Sequence, residues 1–391
     1  MTILRLRALW TSALLLACSR PREQAPTGLV DSAGILIASG PRVDRPTPWR
    51  VTFLHRLAPD DADSPLHLVR SPAFVGLDSA GRIFVLNELT GRIEVYDPDG
   101  RLLGTRGRKG GGPGEYQYVG TLDVRPDGTL FVVDHGKDAI VGFGPDGAVL
   151  LERSLAALGY AYGGASFLGD TGVFHGHELD DEKNPVHALR WIAPERDTTL
   201  ATLRPATLGQ ATFQCPGSTI TLTGAELLLT PNLAWAVAPG LVAVAAGDEY
   251  QVAVFIGGRL HHLSRRPIVP IPATVEHVRR RYPDGIALFQ GRSCRQGPDV
   301  LAAALGIAPT LPVLDRLRYA PDGALWVQRF TLPGAAPITD VFGPDGTYLG
   351  SQTGPGFPVG FASEGRFLGL VPDVETGGYQ LHLYRLSPAP W

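Results

Sequence analysis

Lysine is nearly missing from this chain. Of 35 basic residues only Lys109, Lys137 and Lys183 are lysines, and Met1 is the sole methionine. The skew is a compositional bias and says nothing about chemistry. An excess of one charge is missing too: 35 Lys+Arg stand against 38 Asp+Glu, a formal net charge of -3, so no whole-chain field draws the protein to nucleic acid. Cysteine is scarce, and Cys215 and Cys294 do not stand in a C-x-x-C arrangement, which argues against metal binding by that pair. Beyond the first 18 residues no apolar run is long enough to span a bilayer. What the chain has instead is 48 Gly and 34 Pro, scattered among apolar runs. That distribution disfavours long helices and suits many short strands joined by tight turns. With 44% hydrophobic and 19% charged residues the chain reads as a packed protein, not a disordered one.

Residues 1–18, MTILRLRALWTSALLLAC, begin with Arg5 and Arg7 and continue in an apolar stretch from Ala8 to Ala17 broken only by Thr11 and Ser12. About ten apolar residues are too few to cross a ~30 Å hydrocarbon core as a helix, so the segment reads as an export signal. Its end, Leu15-Leu16-Ala17-Cys18, resembles the lipobox of bacterial lipoproteins, which implies lipid attachment at Cys18. Ser19 in the next position, with no Asp, resembles lipoproteins that a Gram-negative cell sends on to the outer membrane. The expectation is an exported, lipid-anchored monomer, with residues 19–48 as linker and lead-in. Cys215 and Cys294 then form an even pair in an oxidising compartment: a disulfide candidate, with two free buried thiols as the alternative.

An internal repeat decides the fold. Residues 81–103, GRIFVLNELTGRIEVYDPDGRLL, align without a gap on residues 128–150, GTLFVVDHGKDAIVGFGPDGAVL. Each copy reads as strand, polar turn, strand, Pro-Asp-Gly turn and strand. The grammar returns at 321–349, more weakly at 360–386, and without Pro-Asp-Gly at 163–204 and 232–265. A unit of 40–50 residues with four short strands cannot bury both faces alone, and radial stacking solves that. The chain is therefore expected to be all-β, a six-bladed β-propeller of four-stranded antiparallel blades over 49–388. The blades fall near 72–108, 119–155, 160–205, 230–266, 312–350 and 357–388, with strand 50–57 closing the ring. A helical insertion occupies about 267–311: Thr274 can cap one short helix and Asp299 a second that ends at Gly306. It is expected to form a lid or brace over part of the channel mouth. Blades such as DGTLFVVDHGKDAIVGFGPDG resemble NHL-type repeats, and GRKGGGPGEY (107–116) is similar to a Gly-rich segment of bacterial six-bladed propeller lipoproteins. The resemblance implies a non-catalytic binding module for a peptide, glycan or protein partner.

Strand alternation sorts the loops. The Pro-Asp-Gly turns share one side, and the second turn of each blade shares the other with the blade-to-blade connections. The irregular side is the expected binding face. Its candidate residues are Asn87, Arg92, Arg108, Lys109, Asp134, His135, His175, His177 and Arg280. His175 and His177, two apart on a strand and followed by Asp180, Asp181 and Glu182, form the richest set of metal-ligand types, and His135 is a further weak candidate. An exposed loop beside a strand is the blander account, so no cofactor is expected. A calcium- or zinc-dependent hydrolase or lyase at the channel mouth is the alternative, resembling lactonase-type and amidating-lyase propellers. The segment Arg108 to Glu115 does not fit the phosphate-loop spacing and reads as a flexible connection. The insertion's Arg279, Arg280, Arg281, Arg292 and Arg295 could receive an anion, although a solvated basic face explains them as well. No nucleophile elbow is present.

Overall fold

The computed structural model describes residues 28–390 except 33–34, 58–63, 68, 156–160, 169–170, 180–184, 194–195, 208, 248, 290–292, 355 and 374–375. The leader with Cys18, the acidic run Asp180 to Glu182 and Arg292 lie outside the described residues. The chain is a six-bladed β-propeller. Five blades are built from consecutive strands, their innermost being Val75–Leu77, Val119–Val124, Ala161–Leu168, Ala234–Ala238 and Leu314–Tyr319. The sixth joins Phe357–Ala362, Arg366–Pro372 and Tyr379–Ser387 to a strand from the other end of the chain, Arg50–Arg56, which pairs antiparallel with Tyr379–Ser387.

Two sequence features make this architecture repeat. The Pro-Asp-Gly turns need a left-handed residue at their last position, and glycine supplies it: φ is 87° at Gly100 and 88° at Gly147. The turn aspartate or its equivalent fastens the bend, as where the Asp97 carboxylate accepts the N–H groups of Asp99 and Arg101. The second feature is the apolar middle of each blade, buried against both neighbours. Six buried clusters result, one for each blade interface; Phe84, Tyr116, Leu130 and Phe143, for example, fill the one between blades 1 and 2.

Four expectations change on inspection. The stretch 19–48 is not all lead-in: β1 (Gly28–Ser32) and β2 (Ile35–Ser39) form a hairpin, and β2 adds in parallel to the outer strand Arg259–Arg265 of blade 4. The run Ile35, Leu36, Ile37 has the β character to cover an edge that would otherwise be open. From there the chain crosses the outside of blade 5, and Trp49 stacks on Trp326 at 6.4 Å before β3 (Arg50–Arg56) closes blade 6. The crossing seals a buried ion network. Asp340 has no exposed surface and accepts from Arg266, Arg329, Tyr250 and Ser351, while Asp44 on the strap takes Arg266 and Arg329. Each charge is paired, which is the condition under which buried ions are tolerated.

The second change concerns the insertion. Helix α1 (Val275–Arg281) has Thr274 as its N-cap in a reciprocal box with His277. Helix α2 (Pro298–Leu305) is capped by Gly297, not Asp299. Pro298 occupies the first helical position, where its fixed φ and missing N–H cost nothing, so the helix starts earlier than the acidic residue suggested. Asp299 lies in the first turn and binds Arg279 of α1 at 2.8 Å.

The third change is that the insertion does not stand alone. It has its own core, shared with the hairpin Gln210–Cys215 and Ser218–Thr223 from the connection before blade 4: Phe213, Ile220, Val278, Leu301 and Leu305 are buried together. The Cys215–Cys294 disulfide, with Cα atoms 5.7 Å apart, ties the two connections. The unit is a brace between the connections before and after blade 4, and its core takes in Phe330 and Leu332 from the turn of blade 5.

Finally, the Gly-rich connection is fastened, not flexible. Glu115 pairs with Arg108 and accepts the Gly112 N–H, Lys137 donates to the carbonyls of Gly112 and Glu115 and pairs with Glu152, and Glu152 accepts the Gly114 N–H. Its glycines admit these side chains against the backbone: a Cβ on Gly110 would meet the Glu115 carboxylate at 2.1 Å.

Candidate functional site

Each blade is entered from a connection on the irregular face, so the first residues of every innermost strand line the mouth of the axial channel there. These strands share a local device. A register shift near the start of the innermost strand occurs in blades 2, 3, 5 and 6, between Val119 and Thr121, Tyr162 and Gly164, Leu314 and Arg316, and Pro358 and Gly360. Such bulges re-aim the side chains that follow.

The result is a cavity of about 230 Å³ between blades 1, 4, 5 and 6, lined by Trp235, Asp315, Arg316, Arg318, Val359 and Leu370 among others. Leu314–Tyr319 contributes most of its polarity. Alternation sends Leu317 into the interface with blade 4 and leaves Arg316 and Arg318 on the opposite face of the strand. Arg316 has partners: it donates to the Tyr379 hydroxyl at 3.0 Å, lies 5.3 Å from that ring's centre, and has Asp315 at 3.4 Å. Arg318 differs. Its Nε is buried and has no hydrogen-bond partner among the described residues. Burial lowers its pKa from the usual arginine value; the charge of Asp123 opposes that and the Arg316 cation adds to it. Asp123 belongs to blade 2, across the axis, and is itself occupied by Ser166 at 2.9 Å, the Phe167 N–H at 3.3 Å and Arg125 at 3.3 Å. Trp235 walls the mouth. Its indole lies so close to the backbone of blade 3 that a Cβ on Gly164 would sit 3.3 Å from the ring.

The residues singled out from sequence lie on the irregular face, outside this cavity, and several are structural. Asp134 is completely buried and accepts the N–H groups of Gln117, Tyr118 and Gly136, fixing the turn after its strand. Asn87 does the same one blade earlier for Leu89 and Thr90, while its amide donates to Glu94. His135 packs over Gly120, where a Cβ would meet its ring at 2.1 Å. Arg108 is held by Glu115, Lys109 covers Gly91, and Arg280 donates to the Pro333 carbonyl. Arg92 is exposed at the start of its strand.

His175 and His177 acquire a neighbour that sequence did not point to. His187 pairs directly opposite His177, with ring centres 4.4 Å apart, and stacks 5.8 Å from His175. Its Nε2 binds Glu226 at 2.8 Å, and this hydrogen bond holds the Glu226 carboxyl below the usual range. Burial first, then the charges of His187 and His177, push the His175 pKa down to about 4. Among the described residues no three His, Cys, Asp or Glu side chains are arranged to hold a metal ion. The channel residues Trp235, Arg316 and Arg318 lie on the opening strands of blades 4 and 5, outside the turns and connections in which sequence reasoning sought the site; two arginines two apart on a strand opening a blade were the available signal.

Fold and site together define a six-bladed propeller with a polar axial cavity on its irregular face. Residues 76–165 match a sequence family described as a 6-bladed beta-propeller. No curated protein matches the chain. Among solved structures, the chain is similar to a member of the DUF4221 family from Bacteroides vulgatus at 8% identity, with 88% of this chain and 99% of that one covered and a TM-score of 0.53. It also resembles a presumed exported protein of Bacteroides fragilis at 12% identity, covering 90% and 99% with a TM-score of 0.46. A third is regucalcin, a calcium-binding protein of Agrobacterium tumefaciens, at 12% identity, 88% and 94% coverage and a TM-score of 0.40. No helix among the described residues is long and apolar enough to cross a membrane.

Proposed function

We propose that the chain is an exported binding protein, tethered by lipid at Cys18, whose irregular face receives one end of a peptide, glycan or protein partner at the axial cavity. The observation that carries the reading is the cavity: apolar walls and an indole stand near the irregular-face mouth, with Arg316 in mid-strand and Arg318 deeper, toward the Pro-Asp-Gly end. The face is also stiffened as a binding scaffold should be, by the disulfide brace and the fastened Gly-rich loop.

Arrays of short peptides and oligosaccharides test the reading. Ligands retained by the wild-type chain are expected to bind Trp235→Ala at least about tenfold more weakly, since burying an indole against a ligand is worth on the order of 2 kcal/mol. Unchanged binding in that variant would place the site elsewhere. The tether is read separately: labelled fatty acid should enter the wild-type chain in a bacterial host and fail to enter Cys18→Ser.

A further inference from the structure

The cavity's chemistry can be specified further, on the premise that it is a ligand site. Arg318 carries five N–H donors, and none of them hydrogen-bonds to a described residue. Its Nε is buried, and the nearest carboxylate, Asp123, is already engaged by Ser166, the Phe167 N–H and Arg125. Arg316 cannot share its own partners, Tyr379 and Asp315, without giving them up. Arg125 does not release Asp123, because its buried Nη2 lies 3.3 Å from that carboxylate and is spent on the ion pair. Arg125 thus cancels Asp123 and Arg316 cancels Asp315, which leaves the Arg318 cation as the one surplus charge among these five groups.

A buried donor on a charged group is costly to leave unmade, and the group that satisfies a guanidinium edge best is planar with two acceptor oxygens. One surplus positive charge matches a monoanion; a phosphate dianion would overshoot it between Asp123 and Asp315. The other walls, Trp235, Phe357, Val359 and Leu370, are hydrocarbon. At about 230 Å³ the space is below the range of cavities that enclose a whole drug-sized ligand, so it suits a chain end. We propose that the axial cavity binds a carboxylate borne on a short apolar chain, with Arg318 as its anchor. A peptide C-terminus and a small organic acid share that chemistry.

Four probes decide it: pentanoate, pentanamide, N-acetyl-Ala-Leu with a free C-terminus, and the same dipeptide amidated. Calorimetric titration and thermal unfolding of the purified protein are expected to show at least one acid binding about tenfold or more tighter than its amide and raising the unfolding temperature. Preference for the dipeptide acid assigns the site to peptide C-termini, and preference for pentanoate to small acids. Arg318→Met should abolish acid binding while unfolding no earlier than wild type, because it removes an unpaired buried cation. Arg318→Lys, which keeps the charge but not the fork, should bind the acid with intermediate affinity, and Arg279→Gln on the exposed brace should bind as wild type. Equal affinity for acid and amide overturns the anion assignment while leaving the cavity as a ligand site, which only the Trp235→Ala comparison tests. Binding of neither acid, or full binding by Arg318→Met, overturns it as well.

Discussion

His262 shows how a single residue's placement becomes a property of the whole protein. Strand alternation puts the His261 ring outside and the His262 ring inside, 4% exposed, against Gly346 of the next blade. Burial, and then the charge of His261, push its pKa down to about 4, with Asp345 opposing. In the unfolded chain a histidine titrates near 6.5. Between those values the unfolded state binds a proton that the folded state refuses, so stability is complete above about pH 6.5 and falls as pH drops toward 4. The slope from this one group reaches at most ~1.4 kcal/mol per pH unit. His175 acts in the same direction. Urea unfolding at pH 7 and pH 5 is expected to show wild type losing on the order of 2 kcal/mol more than His262→Leu over that interval. An equal loss in both proteins would mean that the ring is hydrated in solution and that its burial does not govern the acid limb.

At the level of elements, what the sequence disclosed and what it hid have separate physical causes. Blades 1, 2 and 5 were legible because their turns demand Pro, Asp and Gly at fixed places, while blades 3 and 4, without that chemistry, were recovered only from paired apolar strands. The capping of α1 was readable from Thr274, but α2 started at Gly297 because a proline at the first helical position outweighs an aspartate one residue later. The hairpin β1–β2 was hidden because its strands are short and its partner lies more than 200 residues away on blade 4. The site was hidden for a related reason. Asn87 and Asp134 attracted notice as polar residues at matching turns, yet matching polar residues in a repeat are what a conserved turn geometry itself requires, and both spend their side chains on backbone N–H groups. Arg316 and Arg318 are not repeated as residue types: where blade 5 has Arg318, blade 2 has Asp123 in the same register. Their importance comes from standing at an axis that exists only after six blades have closed, and from the register shift at Leu314 that re-aims them.

Closure is the property of the whole molecule on which the rest depends. The ring has six interfaces and each is a separate buried cluster, so opening one seam exposes both its faces and leaves the other five intact but unclosed. The seam at risk lies within blade 6, where β3 supplies the outer strand from the far end of the chain and pairs from Arg50 opposite Ser387 to Arg56 opposite His382. Just beyond it Leu57, 1% exposed, enters the cluster between blades 6 and 1. Six ladder pairs at about 1 kcal/mol per hydrogen bond, together with that anchoring, amount to a large share of the 5–15 kcal/mol that holds a typical domain. The hairpin β1–β2 has a smaller task, since it covers the edge of blade 4 without joining one end of the chain to the other. Two shortened chains separate these roles. One beginning at residue 40 keeps Asp44 in the ion network and keeps β3, and is expected to stay monomeric and unfold in a single, weakened urea transition. One beginning at residue 57 loses the closing strand and leaves Tyr379–Ser387 as an open edge, and is expected to unfold broadly and to self-associate on size exclusion. If the chain from residue 57 still unfolds in one sharp transition as a monomer, the ring holds through its side-chain interfaces alone, and strand closure is not what makes the six blades one cooperative unit.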